Sequence, residues 1–249
     1  MLIQPLLDKL TLLRLSAFRR GLEEQLTSPK YADLSFEERL AILVDLECIH
    51  RDNNRLRRRL KKAQLHLPAT IEDFDFSPSR GVDKSLVLEL AQGAWISRHL
   101  NLIVSGPTGA GKTFLGCALA HAACRANFTV QYYRLPRFLQ KLKLAHLDGS
   151  YPQLLKSLMK CELIIFDDWM RDAITLTHSQ ALLDVLDDRF GRSSTMIIAQ
   201  VPVNSWFERI PDPTLADAIL DRLVNNAYRL ELSGESQRKL RGGISMSST

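Results

Sequence analysis

One run in the sequence has residue types and spacing that specify a chemistry: Gly106-Pro107-Thr108-Gly109-Ala110-Gly111-Lys112-Thr113. It fits GxxxxGK(S/T), a loop whose backbone N–H groups cradle a polyphosphate. Lys112 is placed to reach the β- and γ-phosphates and the Thr113 hydroxyl to bind Mg²⁺. The helix that follows turns its positive end toward the anion. Leu102-Ile103-Val104 reads as a strand before the loop, and Phe114 to Ala123 as an apolar helix after it. That context separates a phosphate site from a chance glycine-rich turn. The nucleotide-binding set is therefore Gly106 through Thr113, with Phe114.

Two acids extend the site. Asp167 lies fifty-five residues beyond Lys112, at the end of the apolar run Cys161 to Phe166. Ligands of open α/β sheets bind beyond the carboxyl ends of the strands. A carboxylate there holds Mg²⁺ beside Thr113, directly or through water. Asp168 is then the candidate to orient or activate the attacking water. Gln200 ends the strand Ser194 to Ala199, where an amide can contact the γ-phosphate or the lytic water.

These residues require a sheet to position them. Phe128 to Tyr133, Cys161 to Phe166, Ser194 to Ala199 and Tyr228 to Leu232 read as strands alongside the one before the loop. Helices are predicted over Lys84 to Ser97, Leu135 to Leu147 and Leu154 to Met159. A capping box at Thr177-His178-Ser179-Gln180 opens another, running to Phe190. Buried strands alternating with helices indicate an α/β fold, a parallel sheet covered on both faces. Ile71 to Phe76 alternates apolar and acidic residues and fits either an adenine pocket or a core edge.

Residues 1–66 read as a small all-α domain. Leu6, Leu7, Leu10, Leu13, Ala17 and Leu22 mark one amphipathic helix. Ser35-Phe36-Glu37-Glu38 is a capping box that opens a helix of roughly thirty residues. Its stripe, Ile42, Leu46, Ile49, Asn53, Leu56, Leu60 and Ala63, is predicted to pack on the first helix or on a partner. Arg51, Arg55, Arg58 and Lys62 form a cationic ladder on its outer surface, suited to DNA phosphates or simply solvated. Leu67-Pro68-Ala69 links this part to an ATPase domain over 67–240, and 241–249 is a polar tail.

Among 249 residues, 45% are hydrophobic and 24% charged, an ordinary globular balance. Seven basic residues against one acid between Arg51 and Lys62 exceed the whole chain's net charge of +5. Cys48, Cys117, Cys124 and Cys161 show no zinc spacing and read as thiols of a reducing compartment. No apolar run reaches membrane-spanning length, and charges interrupt the leucine-rich start, which argues against a signal peptide. A cytoplasmic location is expected.

Gly106–Thr113, Leu163–Asp168, Ala199-Gln200-Val201-Pro202 and the run Pro213 to Val224 together resemble the IstB family. Its members are AAA+ ATPases that assist a transposase in bacterial insertion sequences, related to DnaC helicase loaders and DnaA initiators. The resemblance spans about residues 1–240. It implies ATP and Mg²⁺ as ligands, an ATP-dependent homo-oligomer on duplex DNA, and a transposase as partner. It implies further that Arg222 is an arginine finger for a neighbouring subunit. From the sequence alone Arg222 is a helix-surface arginine, loosely balanced by Asp217 or Asp221. Arg238 stands where a second sensor is expected, although the chain leaves no obvious room for a C-terminal lid. Many relatives carry Glu where this chain has Asp168, so slow hydrolysis is expected. In the initiators and loaders a helical insertion after the second strand touches nucleic acid; here it is Arg134 to Leu158. Its Arg137, Lys141, Lys143 and Lys156 are the implied phosphate contacts, with Tyr151. A DnaC-type helicase loader is the alternative reading. A small-molecule kinase is disfavoured, because nothing resembles a phosphoacceptor pocket.

Overall fold

The computed structural model describes residues 3–234. The chain divides into two compact units, Met1–Arg58 and Arg59–Thr249.

The first unit contains α1 (Gln4–Leu12), α2 (Ser16–Thr27) and most of α3 (Phe36–Ala63). The single amphipathic helix expected over the first twenty residues is two. Arg14 adopts φ 58°, and Leu15 N donates to Leu10 O while Arg14 N donates to Thr11 O. That pattern is a Schellman motif with arginine in the left-handed position usually held by glycine. The Ser35 capping box forms in both directions: Glu38 N donates to Ser35 Oγ and Ser35 N to Glu38 Oε2. The inward face of α3 is shifted from the expected stripe. Leu43 and Glu47 are buried, whereas Leu46 and Ile49 are 40% and 59% exposed. Two features set this face. A Cβ on Gly21 of α2 would meet Leu43 Cδ2 at 2.8 Å, so the two helices pack closely there. Glu47 Oε2 also accepts from Ala17 N and Phe18 N, so a buried carboxylate caps α2.

In the second unit, α4 (Lys84–Ala91) and α5 (Ala94–Ser97) stand where one helix was expected; Gly93 at φ 80° separates them. There follow β1 (Asn101–Ser105), α6 (Lys112–Arg125), β2 (Val130–Arg134), α7 (Leu135–Leu147), α8 (Tyr151–Met159) and β3 (Leu163–Trp169). The unit ends with α9 (Leu176–Arg189), β4 (Ser194–Ala199), α10 (Pro213–Val224) and β5 (Ala227–Glu231). The cap of α9 is Thr175, whose Oγ1 accepts from His178 N, so the helix starts ahead of the box expected at Thr177.

The five strands form one parallel sheet in the order β2-β3-β4-β1-β5. Successive residues of a strand face opposite sides. Ile103, Ile164, Phe166 and Ile197 pack in one core with α7, α8, α9 and α10. On the other face α6 lies against β4, with Gly116 so close that an added Cβ would meet Ile198 Cδ1 at 2.4 Å. Both faces of the sheet are thus covered.

Candidate nucleotide site

β1, the glycine-rich loop and α6 follow one another without interruption, so the loop lies at the carboxyl edge of the sheet. Gly106 has φ 142°, and a Cβ there would sit 2.2 Å from Leu232 O; Gly111 has φ 98°. Neither position accepts a side chain without moving backbone. The loop borders a cavity of about 580 Å³ lined by Thr108 to Phe114 and by Arg134, Asp167, Asp168 and Gln200. Gly106 and Pro107 form the base of the loop and are not in that lining. Asp73, Phe74 and Asp75 line the cavity, while Ile71 and Phe74 are buried, so the segment borders both the cavity and the core. Phe74 lies against Phe114 with ring centroids 6.3 Å apart.

The Thr113 hydroxyl donates to Asp167 Oδ2 over 2.8 Å. The Tyr132 hydroxyl donates to the same oxygen over 2.6 Å, and Asp168 N donates to Asp167 Oδ1 over 2.7 Å. Asp167 is 6% exposed, and these three donors satisfy its buried carboxyl oxygens. Burial, and then the charge of Asp167, push the Tyr132 phenol far above its ordinary range. Lys112, also 6% exposed, donates Nζ to Pro107 O over 2.8 Å. Thr108 Oγ1 donates to Gln200 Oε1 over 2.9 Å, which joins the loop to the end of β4.

Asp168 has φ 55° and Met170 φ 45°, left-handed values that side chains beyond Cβ rarely adopt. The β3–β4 register shifts between Phe166 and Trp169. This kink turns the Asp168 carboxylate to Arg134, whose Nε donates to Oδ2 over 2.7 Å. The hydrogen bond and the charge of Asp168 raise the Arg134 guanidinium further above its ordinary value. Arg134 closes β2 opposite Asp167 in the β2–β3 register. By sequence Arg134 belongs to the insertion after the second strand; the fold brings it into the cavity lining. The strand-end rule that located Asp167 would have found it, had β2 been extended by one residue.

Tyr132, Arg80 and His66 were also not singled out. Arg80, 3% exposed, pairs with Asp75 and donates to Ala110 O in the loop over 3.2 Å. A buried arginine thus ties the loop to the segment before α4. Both Arg80 and His66 line the cavity.

Arg222 lies outside the cavity. Its helix end is fastened by Asn101, whose Nδ2 donates to Arg222 O over 2.8 Å and whose Oδ1 accepts from Thr195 N. Asn101 begins β1 and the loop follows its other end, a separation of about 13 Å along the strand. The Arg222 guanidinium donates to Asp187 Oδ1 over 2.7 Å and to Asp221 Oδ2 over 3.1 Å. The loose balance expected from the sequence is therefore a definite pairing, and its main partner comes from α9.

The remaining candidates lie on helix surfaces. Arg51 pairs with Glu47 over 2.8 Å and Arg55 with Asp52 over 3.2 Å, while Arg58 and Lys62 are exposed. On α7, Arg137, Lys141 and Lys143 are exposed, with Lys141 Nζ 5.1 Å from the Tyr133 ring centroid. Lys156 on α8 is exposed, and Tyr151 stacks on His146 with centroids 3.7 Å apart. Arg238 lies outside the described residues.

A parallel five-stranded sheet with this loop, a lysine–threonine pair and an acid at the end of β3 defines an AAA+ P-loop NTPase. The chain belongs to the IstB-like ATP binding protein family, which matches residues 8–242, and it is therefore an ATP-binding protein. It is 43% identical over 239 residues to y4pL of Sinorhizobium fredii (strain NBRC 101917 / NGR234). The match covers 96% of this chain and 98% of y4pL, whose name describes an insertion sequence ATP-binding protein. Among solved structures, DnaI superposes with a TM-score of 0.56 at 20% identity, covering 67% of this chain and 92% of DnaI. DnaA from Aquifex aeolicus, bound to AMPPCP, gives 0.56 at 15% identity, covering 75% and 58%. These two likenesses concern the fold. No described helix is long and apolar enough to cross a membrane.

Proposed function

We propose that this protein is an Mg²⁺-dependent ATPase that assembles on duplex DNA and recruits or stimulates a transposase. The observation that carries the ATPase part is the Thr113 hydroxyl held 2.8 Å from Asp167, with Asp168 next in the chain and all three in the cavity. Mg²⁺ binds few protein oxygens and completes its shell with water and substrate phosphates. One hydroxyl and one carboxylate fit that demand, and Thr113 and Asp167 are the residues that would hold it. When bound, the ion neutralises charge on the phosphates. Lys112 binds the β- and γ-phosphates, and leaving Pro107 O frees its Nζ to do so. Asp168 accepts the proton of the attacking water once Arg134 releases it. Gln200, bonded to Thr108, reports the state of the phosphates to the loop after β4. Arg222 serves the cavity of a second copy, because its own cavity lies beyond the opposite end of β1.

Support for DNA and transposase as partners comes from the insertion sequence relatives and from the exposed cations of α3 and α7. A competition assay tests it: with ATP present, duplex DNA should displace labelled duplex far better than single strands do. Preference for single strands would favour the helicase-loader reading.

A further inference from the structure

We propose that Tyr132 is a positioning residue for the metal site: its hydroxyl fixes the Asp167 carboxylate in the orientation that meets Thr113. This rests on the assignment of Thr113 and Asp167 as the Mg²⁺ residues. A carboxylate on a strand end turns about its terminal torsion unless its oxygens are tied. Here Oδ1 is tied by Asp168 N, and Oδ2 by the Thr113 and Tyr132 hydroxyls. The three donors differ in permanence. The Thr113 hydroxyl is itself one of the groups that would hold the ion, so its bond to Asp167 would be exchanged for the metal. The Asp168 amide belongs to a residue at φ 55°, where the β3–β4 register shifts. Tyr132 lies in the regular part of the sheet, in register with Ile165 of β3. It lies inside β2, 7% exposed, two residues before Arg134, and its ring lies parallel to His66 with centroids 6.2 Å apart. From there its hydroxyl donates to Asp167 Oδ2 over 2.6 Å. Groups that orient a metal-binding carboxylate in this way typically change metal affinity by about ten- to a hundredfold.

The test uses the full chain and a fluorescent ATP analogue, with Mg²⁺ titrated at fixed analogue. Tyr132→Phe removes one oxygen and keeps the ring. It should raise the Mg²⁺ midpoint about ten- to a hundredfold and leave the affinity for metal-free analogue unchanged. A merely structural loss would weaken both. In an Asp167→Asn background the same substitution should have little further effect. If the phenylalanine variant does not fold, 3-fluorotyrosine at position 132 preserves the packing and strengthens the donor, and should lower the midpoint. Two results would overturn the inference alone: a Tyr132→Phe or fluorotyrosine midpoint equal to wild type while Asp167→Asn shifts it, or additive effects in the double variant. An unchanged midpoint in Asp167→Asn would remove the metal assignment itself, and this inference with it.

Discussion

Arg134 and Asp168, at the ends of neighbouring strands, form a two-point ion pair: Nε lies 2.7 Å from Oδ2, and a terminal nitrogen of the same guanidinium binds the same oxygen. The carboxylate is 12% exposed and the guanidinium 40%. The oxygen so engaged must leave the guanidinium before it can meet a water. The site as it stands therefore restrains the residue proposed to activate water. Removing the restraint should speed basal hydrolysis. At this exposure the pair is worth about 1 kcal/mol, so Arg134→Ala should raise single-turnover hydrolysis about fivefold. A fall in rate would show that Arg134 assists the chemistry instead.

Binding and turnover should separate between two residues. Lys112→Ala removes the cation proposed to meet the phosphates and should abolish nucleotide binding. Asp168→Asn should bind ATP normally while turnover falls about 10²–10⁴-fold, the usual contribution of a general base. Equilibrium dialysis with labelled ATP, followed by a phosphate-release assay, measures both. Normal turnover in Asp168→Asn would strip that residue of its role.

Arg222 is paired with Asp187 and Asp221 and stands at the end of β1 remote from the loop. Arg222→Ala should leave folding and ATP binding intact and suppress turnover. Mixed with Lys112→Ala, it should recover part of the activity, since each protein supplies what the other lacks. If mixtures that demonstrably assemble stay inactive, Arg222 belongs to the α9–α10 surface and not to a neighbour's site.

What the sequence disclosed and what it concealed follow from the range of the interactions involved. The phosphate loop is contiguous, and Leu135 to Leu147, an amphipathic run with proline near its start, forms a helix over those same residues. Both are local. Asp167 was reachable because a strand and its end can be read from an apolar run. Arg14 was hidden because its left-handed turn is enforced by the two hydrogen bonds of a Schellman motif, not by a glycine. Glu47 was hidden because a charged residue was not expected on the inward face of α3, where two amides of another helix bind it. Arg134 was missed by one residue at the end of β2, Tyr132 became a site residue only through the pairing of β2 with β3, and Asp187 met Arg222 only through the packing of α9 on α10. Periodicity carries no information about such cross-element pairs.

The central claim is that ATP controls assembly on duplex DNA, and it is tested most directly by fluorescence anisotropy of a duplex titrated with the protein over a series of salt concentrations. Each neutralised phosphate contributes roughly −0.9 to the slope of log K against log salt. With ATP, binding should be cooperative, strongly salt-dependent and similar across unrelated sequences; with ADP it should be weak. Replacing Lys141 and Lys143 by alanine should lower affinity uniformly and make the slope shallower. Equal, non-cooperative binding with ATP and ADP would contradict the account.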